Sequence, residues 1–517
     1  MMMDACGEPS GDVRSPAVAG QFYSDSAAVL KLGIENYMNA AVPAKVKKPI
    51  ALILPHAGYI YSGQVAADGY NQGRNQPVDV VVLLGTNHAS AVFRKVGLYP
   101  GRGFRTPLGI AEIDQEVNAA LLREDRDCVA DKGVHAAEHS IEVQVPFVQV
   151  VFPKAKIVPV LIGTPDLGMC TRLGQALGKV LKNRRALIVA SSDLSHYPSA
   201  KDAVTSDLAV LDAMITLDPR MVENTIRTQM SRRVPNLHTC ACGEGPIMTA
   251  MAAAKALGAE GARVVSYAHS GDTIIGEQNR VVGYGAVALT AEPERYDSRS
   301  LERPVPVTAE TNLRPEDKKA LLAFARESIN WYLTSQTLPL ARGFAPLLQQ
   351  PRGVFVTLKK RGQLRGCIGR LVPDMPLGKL VGSMALQSAF QDPRFSPVSA
   401  SELKDLEVEI SVLTPMKPVS GYQDIVVGRD GVVLSKEGRS AVFLPQVAPE
   451  QGWDRDTMLD HLSMKGSSSR RHLGHFDRRE KSCFFSLIVT PGIDPASIPR
   501  AFYSANGCRI GVRHDIT

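Results

Sequence analysis

The sequence predicts two domains in tandem, an α/β domain built around a largely parallel sheet followed by a smaller α+β domain. Three observations predict this. At 517 residues and 44% hydrophobic composition, the chain is too long for one ordinary core and apolar enough to bury more than one. In the first half, short apolar runs alternate with helix patterns, which is the rhythm of a sheet covered on both faces. Between the halves, Glu292 to Asp317 (EPERYDSRSLERPVPVTAETNLRPED) is rich in charge and proline with scarcely any apolar periodicity, and it reads as a linker. The predicted boundaries are 12–291 for the first domain, 292–315 for the linker and 316–517 for the second domain.

In chain order, the first domain carries strand-like runs at Ile50 to Leu54, Val78 to Leu84, Ile157 to Ile162, Ala186 to Ala190 and Val281 to Leu289. Helical spacing appears at Ser26 to Met38, Gln115 to Leu122, Leu167 to Leu181, Lys201 to Thr216 and Gly245 to Leu257. Val143 to Phe147 alternates between apolar and polar residues. In the second domain a helix is predicted from Lys318 to Leu333 behind Asp317, with strands at Gly353 to Lys359, Glu407 to Leu413, Gly431 to Leu434 and Ala441 to Leu444. Met458 to Lys465 and Arg470 to His475 read as solvated helix and loop surface, leaving Arg470, Arg471, His472 and His475 exposed.

Composition narrows the function classes. No apolar run approaches the roughly 20 residues of a membrane helix, and Met1 to Gly20 lacks the pattern of a secretory leader, so a cytoplasmic protein is expected. Eight cysteines form no CxxC pair and no dense framework, which argues for reduced thiols. The net charge of +7 is spread in short groups such as Lys45 to Lys48 and is not gathered into a basic stripe, so neither nucleic acid nor membrane is expected as a partner.

Three apolar runs end directly in polar residues. Ile50 to Leu54 leads into His56, Val80 to Leu84 into Asn87 and His88, and Leu187 to Ala190 into Asp193 and His196. Ligands of open α/β sheets bind at the carboxyl ends of strands, so the pattern collects three histidines and an aspartate along one rim. Imidazole and thiolate suit divalent transition metals, and a catalytic site needs about three protein ligands and an open position. His56 and His88 are the first two candidate ligands. Cys242 is the third, since it lies just before the apolar helix pattern Pro246 to Leu257, whose start favours a thiolate. His196, three residues after Asp193, suits a general base whose ring a carboxylate orients. Glu138, His139 and Glu142, with His135, add further carboxylates and histidines before Val143.

Blander readings stand beside these. Taken singly, His238 and His269 read as hydrogen-bonded residues, Cys240 as a small buried one, and Asp193 as a helix cap. The ensemble carries the functional reading, because each member follows an apolar run at the same end. In the second half, Leu364-Arg365-Gly366-Cys367-Ile368-Gly369 offers two readings: a reactive or anion-facing thiol near Arg365 and Arg370, or a tight turn with a buried thiol. Asp392 and Arg394 could add a charged pair beside it.

These residues also carry resemblances. Pro16 to Tyr23, Pro55 to Tyr59 with Ser62-Gly63, Gly85 to His88, Glu138 to Glu142, Ser191 to His196 and Cys242-Gly243 together resemble the Memo-like family over about residues 12–291. That resemblance implies the fold of class III extradiol dioxygenases with a non-haem iron site in which cysteine replaces the usual glutamate. His56, His88 and Cys242 would surround the metal, and His196 with Asp193 would stand at the acid/base position. A thiolate in place of a carboxylate keeps copper and zinc open beside iron. The second half, about residues 316–517, resembles the AMMECR family through Leu364 to Gly369, Ala389 to Phe395, Val408 to Thr414 and Leu444 to Trp453. The two families occur with a radical SAM protein in the AmmeMemoRadiSam system, and this chain resembles its A and B components fused. The sequence has no CxxxCxxC motif, so the resemblance implies a separate radical SAM partner. The leading expectation is a metal-dependent, redox or oxygenase-like enzyme acting on a small organic substrate. The alternatives are a non-catalytic metal-holding or partner-binding module and a metal-assisted hydrolase in which Asp193 or His196 activates water.

Overall fold

Strands that are apolar on both sides must be covered on both sides, and four of them form the centre of the first sheet. Ala51–Leu54, Ala186–Ser191, Val80–Thr86 and Lys156–Ile162 lie side by side in that order and run parallel. The computed structural model describes residues 13–293, 295–296, 313–413, 417–418, 421–436, 439–445, 447–466 and 483–490. Successive side chains of one strand serve opposite cores. Val80, Val82 and Leu84 join the core under the helices Leu167–Leu181 and Glu244–Ala256, while Val81 and Leu83 join the core under Ala27–Asn39 and Tyr59–Gly73.

The sheet has nine strands and is parallel only in part. Gly283–Thr290, expected within a parallel array, runs antiparallel to Ala51–Leu54, and Gly261–His269, which lacks a clear signal in the sequence, pairs antiparallel to it. The reason is the connection: residues 270–282 hold a short 3-10 turn at Ser270–Asp272 and no crossover helix, and only antiparallel neighbours can be joined so directly. Val96–Leu98 on the other flank is antiparallel to Lys156–Ile162.

The five predicted helices of this half form within two residues of the expected ends. Tyr59–Gly73 escapes the pattern because it is buried nearly all round and contains Gly63, Gly69 and Gly73, so it has neither an amphipathic period nor high propensity. Val143 to Phe147, which alternates between apolar and polar residues, falls in the 3-10 turn Glu142–Gln144 and the helix Val145–Val151. Pro146 stands in its first turn, where the missing N–H does no harm, whereas in a ladder it would remove a bond.

By compactness the chain divides into one unit of Met1–Arg303 with Trp331–Leu340, and another of Pro304–Asn330 with Ala341–Thr517. The second unit is α+β, with a sheet ordered Gln363–Arg370, Val354–Lys360, Leu406–Leu413, Cys483–Thr490, Asp430–Lys436, Arg439–Phe443. One prediction fails there. Arg455–Gly466 is not a solvated helix: Met458, Leu459 and Leu462 are buried and pack with Ile425, Val432 and Ala441. Polar neighbours such as Asp460 and Lys465 mask a narrow apolar stripe in the sequence. Arg470, Arg471, His472 and His475 lie outside the described residues. Among the described residues no helix is long and apolar enough to cross a membrane.

A buried ion pair ties the start of the first unit to its centre. Arg14 Nη1 donates to Glu142 Oε2 at 2.6 Å, with both side chains at most 3% exposed. The other guanidinium nitrogens donate to the carbonyls of His135 and Glu138 at 2.6 and 2.7 Å. Glu142 in turn accepts from the amides of Ala17 and Val18 and from the Tyr23 hydroxyl. Breaking such a pair from one side leaves a buried charge alone, which destabilises by about 3 to 5 kcal/mol. Arg14→Met is therefore expected to lower the unfolding free energy of the full chain by that amount, as read by urea denaturation.

Candidate metal centre

His56, His88 and Cys242 sit in the loops that leave three different elements at the carboxyl edge of the parallel strands. One coordinating atom from each lies within 4.8 Å of the other two. Cys242 Sγ is 3.2 Å from His56 Nε2. A second group, His88, Glu138 and His139, meets the same 4.8 Å limit, so the two groups share His88.

Hydrogen-bond partners settle which ring nitrogens carry protons. Ser191 Oγ has one hydrogen, which it donates to the Ser140 carbonyl at 2.6 Å, so toward His56 Nδ1 at 3.0 Å it can only accept. Gln144 Nε2 donates to the same hydroxyl at 2.9 Å. His56 thus holds its proton on Nδ1 and presents a lone pair on Nε2 toward the thiol. His88 Nδ1 donates to the Glu138 carboxylate at 3.0 Å, which can only accept from it. An orienting acceptor behind each imidazole is how metal-binding histidines are held.

Burial sets the electrostatics. It is the main force lowering the pKa of His56, helped by the neighbouring imidazoles of His88 and His139, so the ring stays neutral. Burial also drives the Cys242 thiol well above the ordinary range, with the Asp193 charge adding to it. This corrects the expectation that the helix start alone would favour a thiolate: Glu244–Ala256 begins after Cys242, and desolvation outweighs its dipole. Glu138 goes the other way. Burial pushes it up, but the bonds from His88 and from the Ser140 amide more than offset that and hold it down at about 2.

Asp193 is placed beside these residues, but not as the orienter of His196. Its Oδ1 accepts the amides of His56 and Ala57 at 2.8 and 3.2 Å, while its own amide points to Cys242 Sγ at 3.3 Å. The partly exposed His196 ring instead donates from Nδ1 to the Leu194 carbonyl at 2.9 Å. The segment 194–197 is fixed from both sides: His196 N donates to Thr239 O at 3.0 Å, and Leu194 N to Gly283 O at 2.8 Å. Close approach also explains Gly243, where a Cβ would stand 2.5 Å from the Ser191 carbonyl and from Ser192 Cβ. His139 completes the cluster, its ring stacked on His88 at 4.7 Å and edge-on to His56 at 5.4 Å. The residues missed from sequence are Ser191, Ser140 and Gln144. They sit inside segments already singled out, but only the folded contacts give them a role.

The donor set fits a divalent transition metal. The His56 lone pair, the His88 ring beside it and a thiol that burial disfavours as a lone anion make a cluster that a cation would complete, since a bound metal stabilises the thiolate. Asp207, behind the His196 segment, is a second buried carboxyl that accepts from the Ser195 amide and the Tyr267 hydroxyl, each at 2.8 Å.

In the second unit the Cys367 segment is not a turn. It forms the strand Gln363–Arg370 at the edge of the sheet, because its outward amides find side-chain acceptors: Cys367 N donates to Asp392 Oδ2 at 2.9 Å and Ile368 N to Ser388 Oγ at 2.9 Å. Cys367 Sγ accepts from Thr357 Oγ1 at 3.3 Å. Arg365 forks onto Glu402, and Arg394 pairs with Asp392 while reaching the Cys367 carbonyl at 3.1 Å. A Cβ on Gly366 would lie 2.1 Å from the Ser388 carbonyl, and one on Gly369 2.1 Å from the Phe355 ring. Cys240 is fully buried, as its bland reading had it, and Cys128, Cys170, Cys240 and Cys242 form no disulfide among the described residues.

The fold and site described above define a class of protein, and comparison identifies it. The chain matches the Memo-like protein family over residues 14–288 and the AMMECR1 family over residues 322–480. Relatives named MEMO1 family protein are 33% identical in Nitrosopumilus maritimus, 36% in Desulfurococcus amylolyticus and 36% in Aquifex aeolicus. Each match covers 53% of this chain and 97 to 98% of the relative. Among solved structures, an uncharacterized protein from Pyrococcus horikoshii is 33% identical over 34% of this chain and 91% of that chain, at a TM-score of 0.32. The chain belongs to the Memo-like family and carries an AMMECR1 domain behind the Memo-like one.

Burial raises the Asp207 pKa to about 7, above its ordinary value near 4. The unfolded chain ionises this group first, so its contribution is fully present below about pH 4 and is lost as pH rises through 7. Asp207→Asn is expected to flatten the decline of thermal stability between pH 5 and 8, and an unchanged slope would remove Asp207 as its source. In the second unit, Gly366→Ala is expected to destabilise by at least about 1 to 3 kcal/mol through overpacking, with Cys367→Ser much milder in the same denaturation assay.

Proposed function

We propose that the Memo-like unit is a metal-dependent enzyme, redox or oxygenase-like, in which His56, His88 and Cys242 hold a divalent metal and a small organic substrate binds beside it. The carrying observation is that both imidazoles have Nδ1–H bound to a fixed acceptor while Nε2 of His56 faces the Cys242 thiol at 3.2 Å. Iron is the first candidate, with copper and zinc as the alternatives a thiolate admits. The resemblance to class III extradiol dioxygenases points the same way.

Bound there, the metal would supply Lewis-acid polarisation and, as iron, one-electron chemistry. The protein's own groups do the rest. Glu138 fixes the plane and tautomer of His88, and Ser191 does so for His56. Asp193 braces the His56 loop against the Cys242 loop. His196 accepts a proton from a substrate hydroxyl at Nε2, because Leu194 already holds Nδ1–H. His139 packs its ring against those of His56 and His88.

Metal analysis of protein purified under reducing conditions tests the ligand set. The wild type is expected to retain iron that His56→Ala and Cys242→Ala lose, and unchanged content in both variants would eliminate these ligands. Glu138→Gln should weaken metal binding by about 10- to 100-fold without abolishing it. Oxygen uptake with a catechol then separates turnover from mere retention. Retained iron without uptake favours a binding module, and zinc with ester cleavage favours a hydrolase.

A further inference from the structure

The segment that carries His196 ends in a conformation that aromatic residues seldom adopt. Tyr197 has φ +74°, in the left-handed region. Its neighbours impose this: Tyr197 N donates to Val281 O at 2.7 Å and Val281 N donates back to Pro198 O at 2.9 Å. The turn sets the Tyr197 ring edge-on to His196, with centroids 5.6 Å apart, and edge-on to His238 at 5.1 Å. Strain of this kind persists where surrounding structure demands it and clusters at functional sites.

On the face of that ring lies the guanidinium of Arg280, with its central carbon 4.2 Å from the centroid. Among the described residues no carboxylate or carbonyl accepts from Arg280, although it is exposed and its segment is bonded to the His196 segment. Arg14, by contrast, is enclosed by Glu142 and two carbonyls. A guanidinium stacked on an aromatic face keeps its edge N–H groups for a planar, two-oxygen anion. Arg280 thus stands as a stacked cation without an anion partner among the described residues, one ring away from His196.

We infer that Arg280, seated on Tyr197, selects the substrate by its carboxylate: the substrate class is a small organic acid whose carboxylate is forked by Arg280 while its hydroxyl end faces His196 and the candidate ligands. This inference rests on the metal-dependent reading above. Tyr197 is a positioning residue and Arg280 a specificity residue; neither moves a proton.

The test is binding, read by calorimetry and by the visible charge-transfer absorption of iron diolates, on the full chain loaded with iron without oxygen. The probes are catechol and 3,4-dihydroxybenzoate, which differ only in the carboxylate. Wild type is expected to bind the acid at least about ten-fold more tightly, the scale of one charge-assisted pair. In Arg280→Gln the preference should fall to within about two-fold, with catechol affinity and iron content as in wild type, and Arg280→Lys should keep an intermediate preference. Equal wild-type affinities, or a full preference in Arg280→Gln, overturns the role of Arg280 and leaves the metal-dependent reading standing. If the iron-loaded wild type binds neither probe, both fall.

Discussion

The candidate centre depends on one buried carboxylate. Asp193 accepts two amides at the start of the His56 turn, and its backbone both donates to the Cys242 sulfur and accepts the Cys242 amide. Segments that are 137 and 49 residues away in sequence are thereby locked to the end of a single strand. Burial raises the Asp193 pKa, and the His56 and Ala57 amides that Oδ1 accepts work against that rise while tying the loops together. Asp193 therefore acts on both candidate ligands without being one of them.

A second buried network supplies the remaining side. Glu138 and Glu142 stand four apart, yet they face opposite tasks: Glu138 orients His88, while Glu142 anchors Arg14 and the chain from Ala17 to Tyr23. Arg14 also holds the Glu138 carbonyl, so the ion pair that secures the start of the domain also steadies the segment that presents Glu138 to the cluster. Stability and site geometry share the same contacts there, which makes the site rigid without further devices.

In the second unit a conspicuous motif has a structural account. Gly366 and Gly369 are required by a carbonyl and a phenyl ring, Arg365 by Glu402, and the Cys367 amide by Asp392. Together they seal a sheet edge that would otherwise offer unpaired amides. The apolar run of the sequence around Cys367 is too short to tell such a strand from a turn, because its acceptors, Ser388 and Asp392, come from the helix Leu377–Phe390 and the residues just after it.

Read alone, the sequence determined the apolar strands, most helix positions in the first half and the clustering of polar residues after strands, since these follow from local periodicity and from parallel strands sharing a carboxyl end. It pointed to His56, His88 and Cys242, which the fold brings within 4.8 Å of one another. Only the tertiary structure decided the antiparallel flank, the tautomers, the protonated thiol, and the transfer of His196 from Asp193 to Leu194. Each of these depends on partners distant along the chain or on how much water is excluded, and neither quantity is written in local sequence.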